Sequence, residues 1–243
     1  DYSLSRAPGM AMAWVLHVTS QPTIGSQSKL EANQRPMKLV VIDYDSGNLR
    51  SVSRALESQG VTPLVTGDAA EFEAADAVVL PGVGSGPAAM DALGQRNLVG
   101  PIRDYIASGR PFLGVCLGLQ LLMDRTEEGD APCLGVVQGN AKLLPAGLKV
   151  PHMGWNSVNF NSQELNRHPA LAGIPQDSYF YFVHSYFAAP EESDGVGGTT
   201  EYGIPFCSIY AKDNLVATQF HPEKSGPAGL RFYKNFIGMV GAR

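Results

Sequence analysis

From residue 37 onward, short apolar runs rich in β-branched residues alternate with stretches of helical spacing, and few architectures accept that rhythm. The run Lys38–Tyr44 (KLVVIDY) has the length of a buried strand and ends in the turn-rich Asp45-Ser46-Gly47-Asn48. Leu49, Val52, Leu56 and Val61 then follow helical spacing, with Gly60 as a stop signal. The alternation repeats: a strand over 76–82, a helix over 97–109, a strand over 110–116, and a further helix opened by LQLLMDRT (119–126). Strands joined through helices pair in parallel by right-handed crossovers. This predicts an α/β fold with an open, mostly parallel sheet, helices on both faces and ligands at the strand C-terminal ends. Shorter strands, some antiparallel, are expected over 136–144, 157–160, 178–188, 206–214 and 215–223, and a closing helix over 224–240.

Composition bounds the function classes. The chain has 243 residues, 44% hydrophobic and 17% charged, as expected for one main globular domain. A net charge of -5 offers neither a nucleic-acid footprint nor a polybasic stretch for a membrane surface. Cys116, Cys133 and Cys207 lie far apart without a Cys-x-x-Cys pair, so neither a disulfide framework nor a zinc site is expected, and a reducing cytoplasm fits best. Residues 1–36 lack sustained periodicity and read as an N-terminal extension, poorly ordered or non-native; Met37, directly before the first strand, reads as a natural start. The apolar run Met10–Val18 is too short to cross a bilayer and lacks the flanks of a cleaved signal.

The strongest chemical signal is Gly114-Val115-Cys116-Leu117-Gly118, where a buried strand turns into a helix with a cysteine between two glycines. Glycines clear side chains from a strained turn, a helix N-terminus favours thiolate, and the Leu117 N–H can receive an oxyanion. Taken alone, Cys116 reads equally well as a small core residue. His221-Pro222-Glu223 decides between the two readings. In extended backbone, residues i and i+2 project the same way, so Glu223 can orient the His221 imidazole for a Cys-His-acid division of labour.

With these motifs the sequence resembles the class I, or triad, glutamine amidotransferases over essentially all of 37–243, a family of flavodoxin-like fold. Within them it is most similar to the HisH glutaminase subunits of imidazole glycerol phosphate synthase. The segments that carry this are IDYDSGNLRSV, LPGVGSG, GVCLGLQLL, PHMGWN, YFVHSY and TQFHPEKS, in that order. A glutaminase serving another synthase, an independent cysteine hydrolase and a non-catalytic subunit are the alternatives. PHMGWN speaks against the first, and the intact Cys116, His221 and Glu223 against the last.

The resemblance implies roles residue by residue. Cys116 is the nucleophile, His221 the base and acid, and Glu223 its orienting carboxylate. Leu80-Pro81-Gly82-Val83-Gly84 matches the oxyanion strand, so Val83 and Gly84 join Leu117 around the oxyanion. Gln120, Glu128, Ser185 and Gly84 match positions that hold substrate glutamine, although Glu127 and Glu128 alone read as a solvated helix end. His152, Trp155, Tyr181 and Lys224 match the face turned to a (βα)8-barrel cyclase partner, and Asn48 and Arg50 its opposite rim. Relatives often carry a bulky residue where this chain has Gly86. No metal or organic cofactor is implied. His184 reads as a core group, and His17, His168, Cys133 and Cys207 receive no role.

Overall fold

The computed structural model describes residues 35–161 and 168–241; the extension expected over 1–36 lies, up to residue 34, outside them. The first half runs β1 (Leu39–Ile42), α1 (Leu49–Glu57), β2 (Leu64–Thr66), α2 (Ala70–Glu73), β3 (Ala77–Gly82), α3 (Gly86–Gln95), α4 (Val99–Ala107), β4 (Phe112–Cys116) and α5 (Leu117–Leu121). The second half runs β5 (Arg125–Thr126), β6 (Ala131–Pro132), β7 (Gly139–Leu143), β8 (His152–Ser157), β9 (Asn159–Phe160), β10 (Tyr179–His184), β11 (Tyr186–Pro190), β12 (Val196–Glu201), β13 (Pro205–Lys212), β14 (Leu215–Thr218) and α6 (Gly226–Gly241).

Among the described residues the main sheet has eight strands in the order β2-β1-β3-β4-β14-β13-β12-β9. The five from β2 to β14 pair in parallel, and the three beyond pair antiparallel. Two smaller sheets, β10-β8 and β11-β7-β5-β6, stand apart from it. The expected mostly parallel α/β sheet with an antiparallel portion in the second half is therefore what forms.

Unbroken apolar runs make sense in a sheet covered on both faces. Period two sends Leu39 and Val41 of β1 into one core with Val52 and Leu56 of α1 and Phe232 and Phe236 of α6. It sends Val40 and Ile42 into the other, with Phe72 of α2, Leu93 of α3, Ile102 of α4 and Leu119 of α5. The sheet's central pair, β4 and β14, brings two of the expected site residues near each other: Cys116 ends β4, and His221 follows β14 by three residues.

Two expectations change. The single strand read over 178–188 is two strands broken at Ser185, β10 pairing with β8 and β11 with β7 in a different sheet. The helix opened by 119–126 is only Leu117–Leu121, and β5 follows it.

Candidate active site

Cys116 sits at the junction of β4 and α5 with φ 54° and ψ −103°, left-handed backbone that a non-glycine residue adopts at a cost. Its flanking glycines are required by space. A Cβ on Gly118 would lie 2.2 Å from the Leu80 carbonyl oxygen, and one on Gly114 2.9 Å from the Gly118 oxygen. The elbow thus packs backbone against backbone, and β3, the expected oxyanion strand, is the element against it. Cys116 is only 4% exposed and its sulfur lies 3.9 Å from the Val183 carbonyl.

His221 Nδ1 lies 2.7 Å from Glu223 Oε1, with both side chains fully buried. The backbone between them differs from expectation. β14 stops at Thr218, His221 is extended (φ −98°, ψ 97°), and Pro222–Lys224 is a 3-10 turn, so the contact closes around a turn and not along a strand. Burial alone would depress the His221 pKa, but the Cys116 sulfur and the Glu223 carboxylate beside it raise it above the ordinary value. Burial likewise opposes ionisation of Glu223, yet the His221 ring and the Asn48 amide hold its carboxyl below the usual range. Nδ1 is taken by Glu223, and Nε2 is buried without a hydrogen-bond partner, which leaves Nε2 as the ring atom for Cys116.

A cleft of about 280 Å³ opens over the sulfur. Its lining includes Val83, Gly84, Leu117, Gln120, Glu128 and Ser185, so the structure brings together the residues expected around the oxyanion and the substrate. Gly84 has φ +96°, a conformation glycine accepts freely, and Val83 beside it is exposed. Glu128 Oε2 accepts from the Gly86 N–H at 2.7 Å, tying this carboxylate to the start of α3. Gly86 leaves no void: a Cβ there would meet Thr126 Cγ2 at 3.4 Å and Glu128 Oε2 at 3.5 Å.

The residues expected on a partner face separate into two sets. Trp155 is 57% exposed and meets Tyr181 edge-on at 6.2 Å between ring centroids, and Lys224 Nζ stands 5.9 Å over the Tyr181 ring. Arg50 is exposed on α1. His152 is different: it is buried, stacked between Phe182 and Tyr202 with centroids at 4.9 and 4.0 Å. Strand alternation explains the correction, because Trp155 and His152 sit an odd number of residues apart on β8 and so project to opposite sides. Met153, on the Trp155 side, is the exposed residue that sequence reasoning passed over. Asn48, expected at a rim, turns its side-chain amide onto Glu223 Oε1, and that nitrogen also lies 3.5 Å from His221 Nδ1.

Three more residues at the site were not singled out from sequence. Tyr44 donates its hydroxyl to the Pro81 carbonyl at 2.9 Å, and burial pushes its pKa up to about 12. Tyr233 of α6 donates to Glu223 Oε2 at 3.3 Å. Gln219, fully buried, places Nε2 3.7 Å from the Cys116 sulfur. Gln219 lies 103 residues from Cys116 in sequence, and no local pattern marks it.

The family model described as glutamine amidotransferase class-I matches residues 40–239. The chain is 44% identical over 203 residues to the imidazole glycerol phosphate synthase subunit HisH of Dehalococcoides mccartyi, covering 83% of this chain and 97% of that one. It is 47% identical over 205 residues to the subunit of the same name from Thermosynechococcus vestitus, with 83% and 97% covered. Among solved structures, PurLQS from Thermotoga maritima superposes with a TM-score of 0.66 at 16% identity over 85% of this chain and 100% of that one, a likeness of fold. With a family match across nearly all of 37–243 and relatives aligned almost end to end, the chain belongs to the class I glutamine amidotransferases, in the branch formed by the HisH subunits.

Proposed function

We infer that this chain is the glutaminase subunit of imidazole glycerol phosphate synthase, hydrolysing glutamine to glutamate and ammonia in histidine biosynthesis. The observation that carries the chemistry is the buried His221–Glu223 pair beside a cysteine held at a strained elbow under a cleft of about 280 Å³. Identities of 44% and 47% to HisH subunits support the choice of synthase.

In the reaction, Cys116 passes its proton to His221 Nε2 and its sulfur attacks the glutamine carboxamide carbon. Charge moves to the carboxamide oxygen, which the Leu117 N–H and the Val83–Gly84 peptide receive. The C–N bond then breaks as His221 returns the proton to the leaving nitrogen, releasing ammonia and leaving a γ-glutamyl thioester. His221 next takes a proton from water, whose oxygen attacks the thioester; glutamate leaves and the thiol is restored. Glu223 keeps the imidazole in the tautomer that both halves need. Glu128 supplies a carboxylate for the substrate ammonium, and Ser185 and Gln120 line the substrate's other side.

The partner is a (βα)8-barrel cyclase that uses the ammonia to close the imidazole ring, giving imidazole glycerol phosphate and AICAR. The face offered to it carries Trp155, Tyr181 and Lys224, with Arg50 and the Asn48 segment at the other rim; exposed aromatic and cationic groups suit such an interface. The amidotransferase domain is assigned to 37–243, and its three free, buried cysteines fit a cytoplasmic setting. The test is ammonia release from glutamine by the chain alone and with the cyclase and its nucleotide ligand. A large rise on adding both is expected, and full glutaminase activity without the partner contradicts the reading.

A further inference from the structure

We propose that Gln219 is a further catalytic residue, whose side-chain N–H donates to the Cys116 sulfur and stabilises it as the attacking thiolate. This rests on Cys116 being the nucleophile. Gln219 is fully enclosed, and its backbone N–H is anchored on the Ser208 carbonyl at 2.9 Å, so the side chain starts from a fixed root.

The direction of its amide is set by its neighbours. Gln219 Oε1 accepts from Gln120 Nε2 at 3.2 Å, and Gln219 Nε2 then points at the sulfur, 3.7 Å away. Turning the amide over would set Gln219 Nε2 against Gln120 Nε2, two donors, and aim an oxygen lone pair at the sulfur. Gln120 is itself fixed, because the same Nε2 donates at 2.7 Å to the Tyr186 carbonyl, which can only accept. That carbonyl also accepts from His184 Nδ1 at 2.9 Å, so His184 Nε2 is the acceptor for His152 Nδ1 at 2.9 Å. Burial lowers these two histidines to about 3 and about 4, so both are neutral near pH 7 and these donor and acceptor assignments hold there. A polar chain thus leads from β8 to the nucleophile with every donor assigned.

An N–H aimed at sulfur is most stabilising when the sulfur carries charge, and here the donor is fully buried and the sulfur nearly so. As the thioester forms, charge leaves the sulfur for the carboxamide oxygen and the bond weakens. Gln219 therefore favours thiolate over thiol, alongside His221. The other titratable groups around the sulfur are Tyr44 from the end of β1, Glu223 behind His221, and Glu128, His184 and Tyr186 in the cleft.

The experiment is the rate of Cys116 alkylation by iodoacetamide from pH 5 to pH 10 in the full chain, with the modified residue located by peptide mass. In Gln219→Met the pH of half-maximal rate is expected to move up by about one unit, the share of one hydrogen bond to a charged acceptor in a thiolate–imidazolium pair. Gln219→Glu keeps the acceptor for Gln120 and replaces the donor with a carboxylate, and should move it further. The glutaminase defect of both should be about tenfold near pH 7 and shrink towards pH 9. Should either variant fail to fold, the wild-type protein carries the test: the Gln219 side-chain amide resonance should follow pH with the sulfur, and lose that dependence in Cys116→Ala. Folded variants with the wild-type alkylation profile, or an amide resonance indifferent to Cys116, overturn the role of Gln219 alone. A Cys116→Ala protein that still hydrolyses glutamine overturns the nucleophile assignment beneath it.

Discussion

The Nδ1 atom of His221 is 2.7 Å from Oε1 of Glu223 inside a fully buried pair, which fixes the proton on Nδ1 and leaves Nε2 to serve Cys116. Replacing the carboxylate by an amide keeps the shape and loses both the tautomer preference and the stabilisation of imidazolium. Glu223→Gln should lower glutaminase kcat by roughly 10²–10⁴, with KM for glutamine within a few-fold. Steady-state kinetics of the complex check this; an unchanged kcat would remove Glu223 from the mechanism.

Asn48 donates its side-chain amide to the same Oε1 of that carboxylate from the end of the β1 loop, with φ 77°. Asn48→Gly tolerates this backbone and removes only the amide, so kcat should drop about tenfold without a large change in melting temperature. Asn48→Asp sets a second carboxylate against Glu223 and should be worse in both respects.

Two glycines beside the cleft should behave in opposite ways. Gly118→Ala forces a Cβ to within 2.2 Å of the Leu80 carbonyl, and should destabilise the fold by more than about 3 kcal/mol in denaturant titration. Gly86→Ala meets ordinary contact distances of 3.4 and 3.5 Å and opens α3, so it should be neutral or stabilising by about 0.5 kcal/mol. The glycine at 86 is thus tolerant of a side chain, whereas the elbow glycines are not.

His152 and His184 give the fold a pH dependence of known sign. Burial lowers them from 6.5 to about 4 and about 3, so between pH 6.5 and pH 4 the unfolded chain binds protons that the folded one refuses. The contribution of these two histidines is full above pH 6.5 and falls as pH drops through this window, by roughly 2 kcal/mol for each of them at pH 5. His221 is shifted the other way, so its contribution is lost only above pH 6.5. Urea unfolding at stepped pH measures the slope, and His152→Gln should shallow it by about half.

Much of this was legible because periodicity and spacing are local. Alternating apolar runs placed β1, β3 and β4, and Gly114-Val115-Cys116-Leu117-Gly118 marked the elbow because only small residues fit where Gly118 meets β3. What stayed hidden depends on tertiary partners. Nothing in the sequence around Ser185 announces a break, which arises because β10 and β11 pair with strands of different sheets. β2 is three residues long with half-exposed side chains, too short to show a period. His152 resembled an interface residue by its neighbours in PHMGWN, yet strand alternation faces it inward. Asn48 and Gln219 reach the catalytic groups through side-chain hydrogen bonds spanning 175 and 103 residues of sequence, separations that no local pattern encodes.

In the proposed mechanism one sulfur, that of Cys116, does the chemistry on glutamine. This is tested most directly by assembling the synthase with Cys116→Ala and measuring ring closure with glutamine and, separately, with an ammonium salt. Glutamine-dependent turnover is expected to fall by about three orders of magnitude or more, with ammonium-dependent turnover near wild type. Glutamine-dependent turnover that survives the loss of the sulfur would contradict the mechanism.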